Sequence, residues 1–414
     1  MKILVIHNRY QHAGGEDEVF AAESRLLRDA GHEVHEYVRT NDDIVLGGPP
    51  ARVGLALDTV WARQEQRTLR QTIDHVAPDV AHFHNTFPLI SPAAYYTCRA
   101  AGVPVVQTLH NYRLLCPSAN HYRNNGVCED CTTSGLHHAV RHACYRGSRS
   151  ATGAVTAMLM FHRGIGTWTR AVDVYIALSE FARGRFIAGG LPADKVVVKP
   201  NFVDTDPGLR DRAGDGALFV GRFWPEKGVG TLLQAWNRLS DPIRLDLLGD
   251  GPQRAQLEQL APSNNTVCFH GRVPRATTLA AMKRAQFLVF PSEWFEGLPM
   301  TIVEAFACGL PVIASRLGTM GEVVEERRTG LLFTPGDAAD LAAKVEWARS
   351  HPLEMAEMGR AARHTFEALY TAPRNLELLV SVYHRAVDAR GQEQPRPAGH
   401  AGALIDEATP LRQR

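Results

Sequence analysis

Two glutamates, two cations and a histidine are the residues of this chain whose types and spacing could do chemistry together. Glu296 and Glu304 lie in FPSEWFEGLPMTIVEAFACGLPVIAS, a stretch that reads as strand, loop, helix, strand. Phe287 to Phe290 is an apolar run of strand length ended by Pro291 and Ser292, and Pro311 to Ser315 is a second one. Between them Pro299 suits a first helical position, and Gly309 stops the helix after Cys308. Glu296 therefore falls in a loop just outside a helix N-terminus, and Glu304 on the helix itself. Gly297 lets a ligand approach the backbone. The helix start at Leu298, Pro299 and Met300, with its unpaired first-turn N–H groups, favours an anion such as a phosphate. A carboxylate accepts hydrogen bonds from hydroxyls, so a sugar beside Glu296 and a ribose beside Glu304 fit this arrangement. From spacing alone, a plain βαβ unit carrying two solvated glutamates fits equally well.

The other charges sit at strand exits. Ala217 to Val220 reads as a strand, and GRFWPEKG after it places Arg222 and Lys227 on either side of a loop that starts a helix. Cations there are what a diphosphate needs, although each also reads as an ordinary surface charge. His110 ends the strand Val103 to Leu109, with the right chemistry to donate to a phosphate oxygen or a sugar hydroxyl. Gly15 closes the polar loop after the strand Lys2 to Ile6 and precedes an amphipathic helix over residues 16–30. Gly14 and Gly15 lack the G-x-G-x-x-G spacing of a dinucleotide fingerprint. In doubly wound sheets ligands sit at the carboxyl ends of strands, which is where all these loops fall.

These elements recur as strand, helix, strand along 414 residues of which 45% are hydrophobic, enough for two α/β domains. A Pro-, Gly- and charge-containing segment at 201–216 is the expected linker. It separates an N-terminal domain at 1–200, with a cysteine-rich loop at 112–149, from a C-terminal domain at 217–372. One mostly helical segment is expected over Val53 to Val76, a C-terminal helix over 373–390, and a disordered tail over 391–414. A net charge of +1 gives no reason to expect nucleic acid. Met1 and Lys2 lead straight into Ile3 to Ile6, too short for a secretory core, and no stretch has the length of a membrane span. Seven cysteines without an export signal fit a reducing cytoplasm.

The E-x7-E unit, GRFWPEKG and the pattern YIALSEFARGRF…VVVKPNFVD together resemble the retaining glycosyltransferases of family 4. The resemblance covers nearly the whole chain apart from the cysteine loop and the tail. It implies the GT-B fold, two doubly wound Rossmann-like α/β domains facing each other across a cleft, with the acceptor on the N-terminal side and the sugar nucleotide on the C-terminal side. It implies that Glu296 and His110 touch the donor sugar, that Glu304 holds the ribose, and that Arg222, Lys227 and the helix start hold the diphosphate. The base would be held partly by backbone around Arg272 and Val273, and Gly15 would lie beside phosphate or acceptor. The implied reaction moves a hexose from a UDP- or GDP-linked sugar to a glycan or polyprenyl-linked acceptor, in the setting of bacterial surface polysaccharide. With no D-x-D motif, no divalent ion is expected in catalysis. A nucleotide-sugar epimerase, a disaccharide phosphorylase and a non-enzymatic sensor of sugar nucleotides are the alternatives.

Two further features stand outside the resemblance. Cys116, Cys128, Cys131 and Cys144 have the spacing C-x11-C-x2-C-x12-C, enough thiolates for a closed tetrahedral zinc that would staple their loop, or else four free thiols. From Cys131 to Asp173 the chain carries no acid, but it has Arg141, Arg146, Arg149, Arg163 and Arg170 beside the apolar run Ala157 to Phe161 and Trp168. Over 137–170 this reads either as a peripheral contact with the anionic inner face of the cell membrane or as a buried helix with a basic edge.

Overall fold

The computed structural model describes residues 1–11, 14–44, 47–210, 214–241, 243–261 and 266–393. Two six-stranded parallel sheets form the frame. The first contains β1 (Lys2–Arg9), β2 (Glu33–Thr40), β3 (Val80–Asn85) and β4 (Val105–Leu109). A short antiparallel hairpin, β5 (Tyr122–Arg123) and β6 (Gly126–Val127), then leaves the sheet before β7 (Val174–Ala177) and β8 (Val196–Val198) complete it in the order β2-β1-β3-β4-β7-β8. The second sheet contains β9 (Ala217–Val220), β10 (Leu245–Leu248), β11 (Val267–Gly271), β12 (Phe287–Phe290), β13 (Val312–Ser315) and β14 (Gly330–Phe333). Its order is β11-β10-β9-β12-β13-β14.

The central strands are near-continuous apolar runs because helices cover both faces: Ile3 to Ile6 and Phe287 to Val289 are at most 1% exposed. Parallel neighbours need long crossovers, and the helices supply them. Each sheet reverses its strand order once, between β1 and β3 in the first and between β9 and β12 in the second. A crevice opens at such a reversal because the adjoining crossovers run to opposite sides. The loops carrying Lys227 and Glu296 follow β9 and β12, and the loop carrying Gly15 follows β1. Topology alone therefore puts them at the two crevices.

The last helix, Ala372–Glu393, returns to the first domain. Its stripe of Leu379, Val382, Tyr383 and Ala386 packs on Ile3, Val80, Val106 and Ile176 of the N-terminal sheet. Burying the two largest of these contributes about 2 kcal/mol each, so the chain's end fastens the domain with which it began. The linker is fastened too, since Val203 N–H donates to the Tyr370 carbonyl at 3.0 Å.

Several expected boundaries change. The segment 53–76 is two helices, Pro49–Trp61 and Arg63–Val76, broken at Ala62. Ala62 has ψ 83°, and its N–H is taken by Ser91 Oγ at 3.0 Å, a distant partner that local sequence does not announce. Pro299 is the N-cap of the helix Met300–Ala307 and not its first residue. Of the expected tail, 391–393 continue the last helix, and 394–414 lie outside the described residues, as do 211–213 of the expected linker.

Candidate functional site

Glu296 is brought to Lys227 by the adjacency of β9 and β12. Lys227 Nζ lies 2.6 Å from Glu296 Oε1, and the same oxygen accepts from Ser292 Oγ at 2.6 Å. The side chains are 15% and 9% exposed, so the pair is largely withdrawn from water and electrostatically strong. Phe290 and Trp294 flank the ammonium at 5.7 and 5.2 Å from their ring centroids. The Lys227 loop needs Gly228. It sits at φ 65°, and a Cβ there would come 2.0 Å from the Pro291 carbonyl oxygen. Arg222 is exposed nearby, its guanidinium 5.6 Å from the Trp224 ring.

The N-terminal domain meets this loop directly. A Cβ on Gly297 would lie 2.8 Å from the His110 carbonyl oxygen, so glycine is what lets the two domains approach. Tyr112 Oη lies 3.4 Å from the Glu296 carbonyl oxygen, and Phe295 inserts beside Tyr112, Phe181 and His121. Glu322 of the second domain caps the helix Glu180–Ala188 of the first, accepting from the Glu180 and Phe181 N–H groups at 2.9 and 2.7 Å. Glu296, Lys227, Gly297 and the backbone of His110 are thus gathered at one place.

Glu304 lies at the edge of this group. Its carboxylate is 2.9 Å from Arg275 Nε, a partner that sequence reasoning missed. Burial pushes the Glu304 carboxyl above its usual range, and the Arg275 guanidinium offsets part of that. Leu298 is buried at 8% exposure, whereas Met300 and Val273 are half-buried and Arg272 is exposed on the loop after β11.

In the N-terminal domain Gly15 is exposed, and nothing lies within 4 Å of where a Cβ would stand. Its helix is capped from within, the Gly14 N–H donating to Asp17 Oδ2 at 2.8 Å. Next to it Glu16 is the second residue missed. One of its oxygens is 3.2 Å from Asn111 Nδ2, and the other is sealed from water with no hydrogen-bond partner. Burial, then the charge of Asp17, push its carboxyl up to about 7. A row of GEDE looked like the polar first turn of a helix, and only the packing of Tyr10 and Asn111 over it shows otherwise.

The four loop cysteines are all unpaired by disulfides. Burial pushes the Cys131 thiol up to about 12, with Cys116, Cys144 and Cys128 each adding to the effect, so the four lie within electrostatic reach of one another. Among the described residues, however, the one trio of metal-type ligand atoms mutually within 4.8 Å is Glu23, His82 and His84. Zinc would have to draw the sulfurs inward. Of the basic stretch, Arg163 and Arg170 turn back to the carbonyls of Leu114 and Ile165 at 2.8 Å, and Trp168 is in the core. Arg141, Arg146 and Arg149 remain exposed. No helix among the described residues is long and apolar enough to cross a membrane.

Comparison with known proteins agrees with this geometry. The family model described as Glycosyltransferase Family 4 matches residues 13–207, and that described as Glycosyl transferases group 1 matches 213–365. Glycogen synthase of Mycobacterium tuberculosis is 27% identical over 89% of this chain and 81% of its own length. Phosphatidyl-myo-inositol mannosyltransferase of Mycolicibacterium smegmatis is 27% identical over 78% of each. Among solved structures, Anabaena Alr3699/HepE in complex with UDP superimposes with a TM-score of 0.68 at 18% identity, covering 93% of this chain and 100% of that one. Sucrose-phosphate synthase from Thermosynechococcus elongatus does so with a TM-score of 0.69 at 17% identity, covering 94% and 99%. With two family models covering most of the chain in succession and the same two-sheet architecture in its neighbours, the chain belongs to glycosyltransferase family 4 and has the GT-B fold.

Proposed function

We propose that this glycosyltransferase moves a hexose from a UDP- or GDP-linked sugar to a hydroxyl of a glycan or lipid-linked acceptor, with retention at the anomeric carbon. The observation that carries the reading is the Lys227–Glu296 pair at the crevice of the second sheet, 2.6 Å long and set against the backbone of His110. In the free protein each charge satisfies the other. A diphosphate would take Lys227, with Arg222 and the start of the helix Met300–Ala307, and so release the Glu296 carboxylate to the sugar hydroxyls. Glu304 and Arg275 would receive the ribose.

Family membership supports retention. The account is attack from the face the nucleotide leaves, with the departing diphosphate helping to take the acceptor proton while Arg222 and Lys227 stabilise its charge. Those two cations do the work for which other sites recruit a divalent ion, so a chelator should leave turnover unchanged. The HepE structures contain UDP, UDP with glucose, and UDP-glucose, which supports a nucleotide-sugar donor here. The test is incubation with UDP-, GDP- and ADP-hexoses and polyprenyl-linked or oligosaccharide acceptors, with the product anomer read by NMR. Nucleotide released without a glycosylated product would point to an epimerase, and strict dependence on inorganic phosphate to a phosphorylase.

An exposed apolar surface supports a lipid-linked acceptor. Helix Arg149–Gly164 exposes Met160 and Phe161, and the neighbouring Pro49–Trp61 exposes Val53 and Leu57, from 44% to 65% of each side chain. Trp61 stands edge-on to Phe161 at 5.8 Å and joins the two helices. With Arg149 exposed at the start of the helix Arg149–Gly164 and Arg146 exposed just before it, this is the pairing that suits an anionic bilayer surface. Cosedimentation with phosphatidylglycerol vesicles but not with phosphatidylcholine vesicles is the expected result, and equal recovery with both would reject this surface.

A further inference from the structure

A layer of buried polar side chains lies beneath the cleft in the N-terminal sheet. On the face covered by the last helix, β1, β3 and β4 are apolar at Ile3, Val5, Val80 and Val106 and turn polar toward their carboxyl ends at His7, His82, His84, Thr108 and His110. Lys199 follows β8, Glu23 comes from the helix Gly15–Asp29, and Tyr383 from the last helix. Lys199 Nζ is 2.6 Å from Glu23 Oε1, with both side chains at most 1% exposed. The other oxygen of Glu23 faces His84 Nε2 at 3.6 Å; both atoms are sealed from solvent, and neither has a hydrogen-bond partner. His84 Nδ1 lies 2.9 Å from His110 Nε2, the two rings stacked at 5.1 Å.

The trio Glu23, His82 and His84 has the spacing of a metal site, but Glu23 and His82 are already engaged. The Lys199 ammonium holds Glu23, and both His82 nitrogens have partners, Tyr383 Oη at 2.9 Å and Thr108 Oγ1 at 2.7 Å. A second cation beside the buried ammonium would be repelled. The arrangement acts instead on the proton positions of two rings.

Burial, followed by the neighbouring rings and Lys199, holds the His84 and His110 pKa values well below the usual imidazole range, so each ring is neutral with a single N–H. The carboxylate of an ion pair offers only lone pairs, and although 3.6 Å is too long for a hydrogen bond, its negative charge favours the proton on the nitrogen of His84 that faces it, Nε2. His84 Nδ1 is then a lone pair. Its 2.9 Å contact with His110 Nε2 requires the proton on that His110 nitrogen. His110 Nδ1 is left without one, and His110 is only partly buried.

We propose that Glu23, through His84, holds His110 as its Nε2–H tautomer, so that His110 presents an acceptor nitrogen to the cleft and binds a hydroxyl and not a phosphate oxygen. Glu23 and His84 are positioning residues in this scheme. The sequence had left His110 as a donor to either group, and the structure assigns the opposite polarity. The clause about the hydroxyl rests on the proposed glycosyl transfer; the tautomer does not.

The test is a long-range 1H–15N correlation spectrum of the full chain labelled with 15N-histidine at neutral pH, with His110 assigned by the loss of its signals in His110→Gln. An unprotonated Nδ1 and a protonated Nε2 are expected, and the reverse assignment overturns the proposal whether or not the protein transfers sugar. Glu23→Gln would strand the Lys199 charge, so the second arm is Glu23→Gln with Lys199→Met. Glutamine can donate to His84 Nε2 and reverse the chain, so His110 should gain an Nδ1 proton, and KM for the donor should rise about tenfold. Persistence of Nε2–H in that folded variant would show that Glu23 does not set the tautomer. If wild type binds no sugar nucleotide but shows the expected tautomer, the functional reading fails and the tautomer stands.

Discussion

Glu16 gives this fold a pH dependence that one atom's change should remove. Its carboxyl is raised from 4.5 to about 7, by burial first and by Asp17 second. A carboxyl raised on folding is protonated in the folded chain where the unfolded chain has already ionised. Its contribution is complete below the unfolded value and is lost as pH rises from there through the folded value. A shift from 4.5 to about 7 corresponds to about 3 kcal/mol once both states are ionised. Most of that, about 2 to 3 kcal/mol, is lost between pH ~5 and pH ~8. Glu16→Gln keeps the size of the side chain and a carbonyl oxygen for Asn111, and it cannot ionise. Urea unfolding of both proteins across this range should show the variant little changed at pH ~5 and more stable than wild type by about 2 to 3 kcal/mol at pH ~8. A stability difference that is flat with pH would mean that Glu16 titrates as an ordinary solvated carboxyl, and that Tyr10 and Asn111 do not enclose it.

Other consequences follow from the same geometry. Lys227→Met removes the charge proposed to hold the diphosphate and leaves Glu296 with Ser292 alone, so kcat/KM should fall by about 10²- to 10³-fold while the fold persists; a fall under about threefold would remove Lys227 from the site. Gly297→Ala puts a methyl 2.8 Å from the His110 carbonyl oxygen, so the domains must part there, and activity should drop more than about tenfold with the far-UV spectrum unchanged. Wild-type turnover in that variant would show that this approach is not needed for catalysis. If Cys116, Cys128, Cys131 and Cys144 close on a zinc, freshly purified protein contains one zinc per chain, and mass spectrometry of the native protein finding less than a stoichiometric amount would leave them as free thiols.

The parts of the site that could be read from sequence are those built within one strand–loop–helix unit. Glu296, Gly297 and Glu304 share such a unit, and Lys227 lies in another whose spacing is equally local, so their placement follows from where a strand stops and a helix starts. Arg275 and Glu16 could not be found that way. Arg275 opens the helix Arg275–Arg284 after β11, the edge strand of the second sheet, and Glu16 looks like any acid in a first turn until Tyr10 and Asn111 close over it. The break at Ala62 and the return of the last helix onto the first domain are likewise decided by distant partners, Ser91 in one case and the faces of Ile3 and Val80 in the other. One signal was present and unused. His82 and His84 alternate on a strand that is otherwise buried, and histidines that keep strand period in a sheet with both faces covered must find partners inside.

Thermal unfolding of wild type and Glu304→Gln, each with UDP, GDP, ADP and their hexose conjugates, is the measurement that bears most directly on the central claim. A ligand that binds only the folded state stabilises it by about 2.7 kcal/mol at a hundred times its Kd. The account predicts a raised midpoint with one nucleotide and its sugar conjugate, and a smaller rise in Glu304→Gln. No shift with any of them in folded wild-type protein would contradict it.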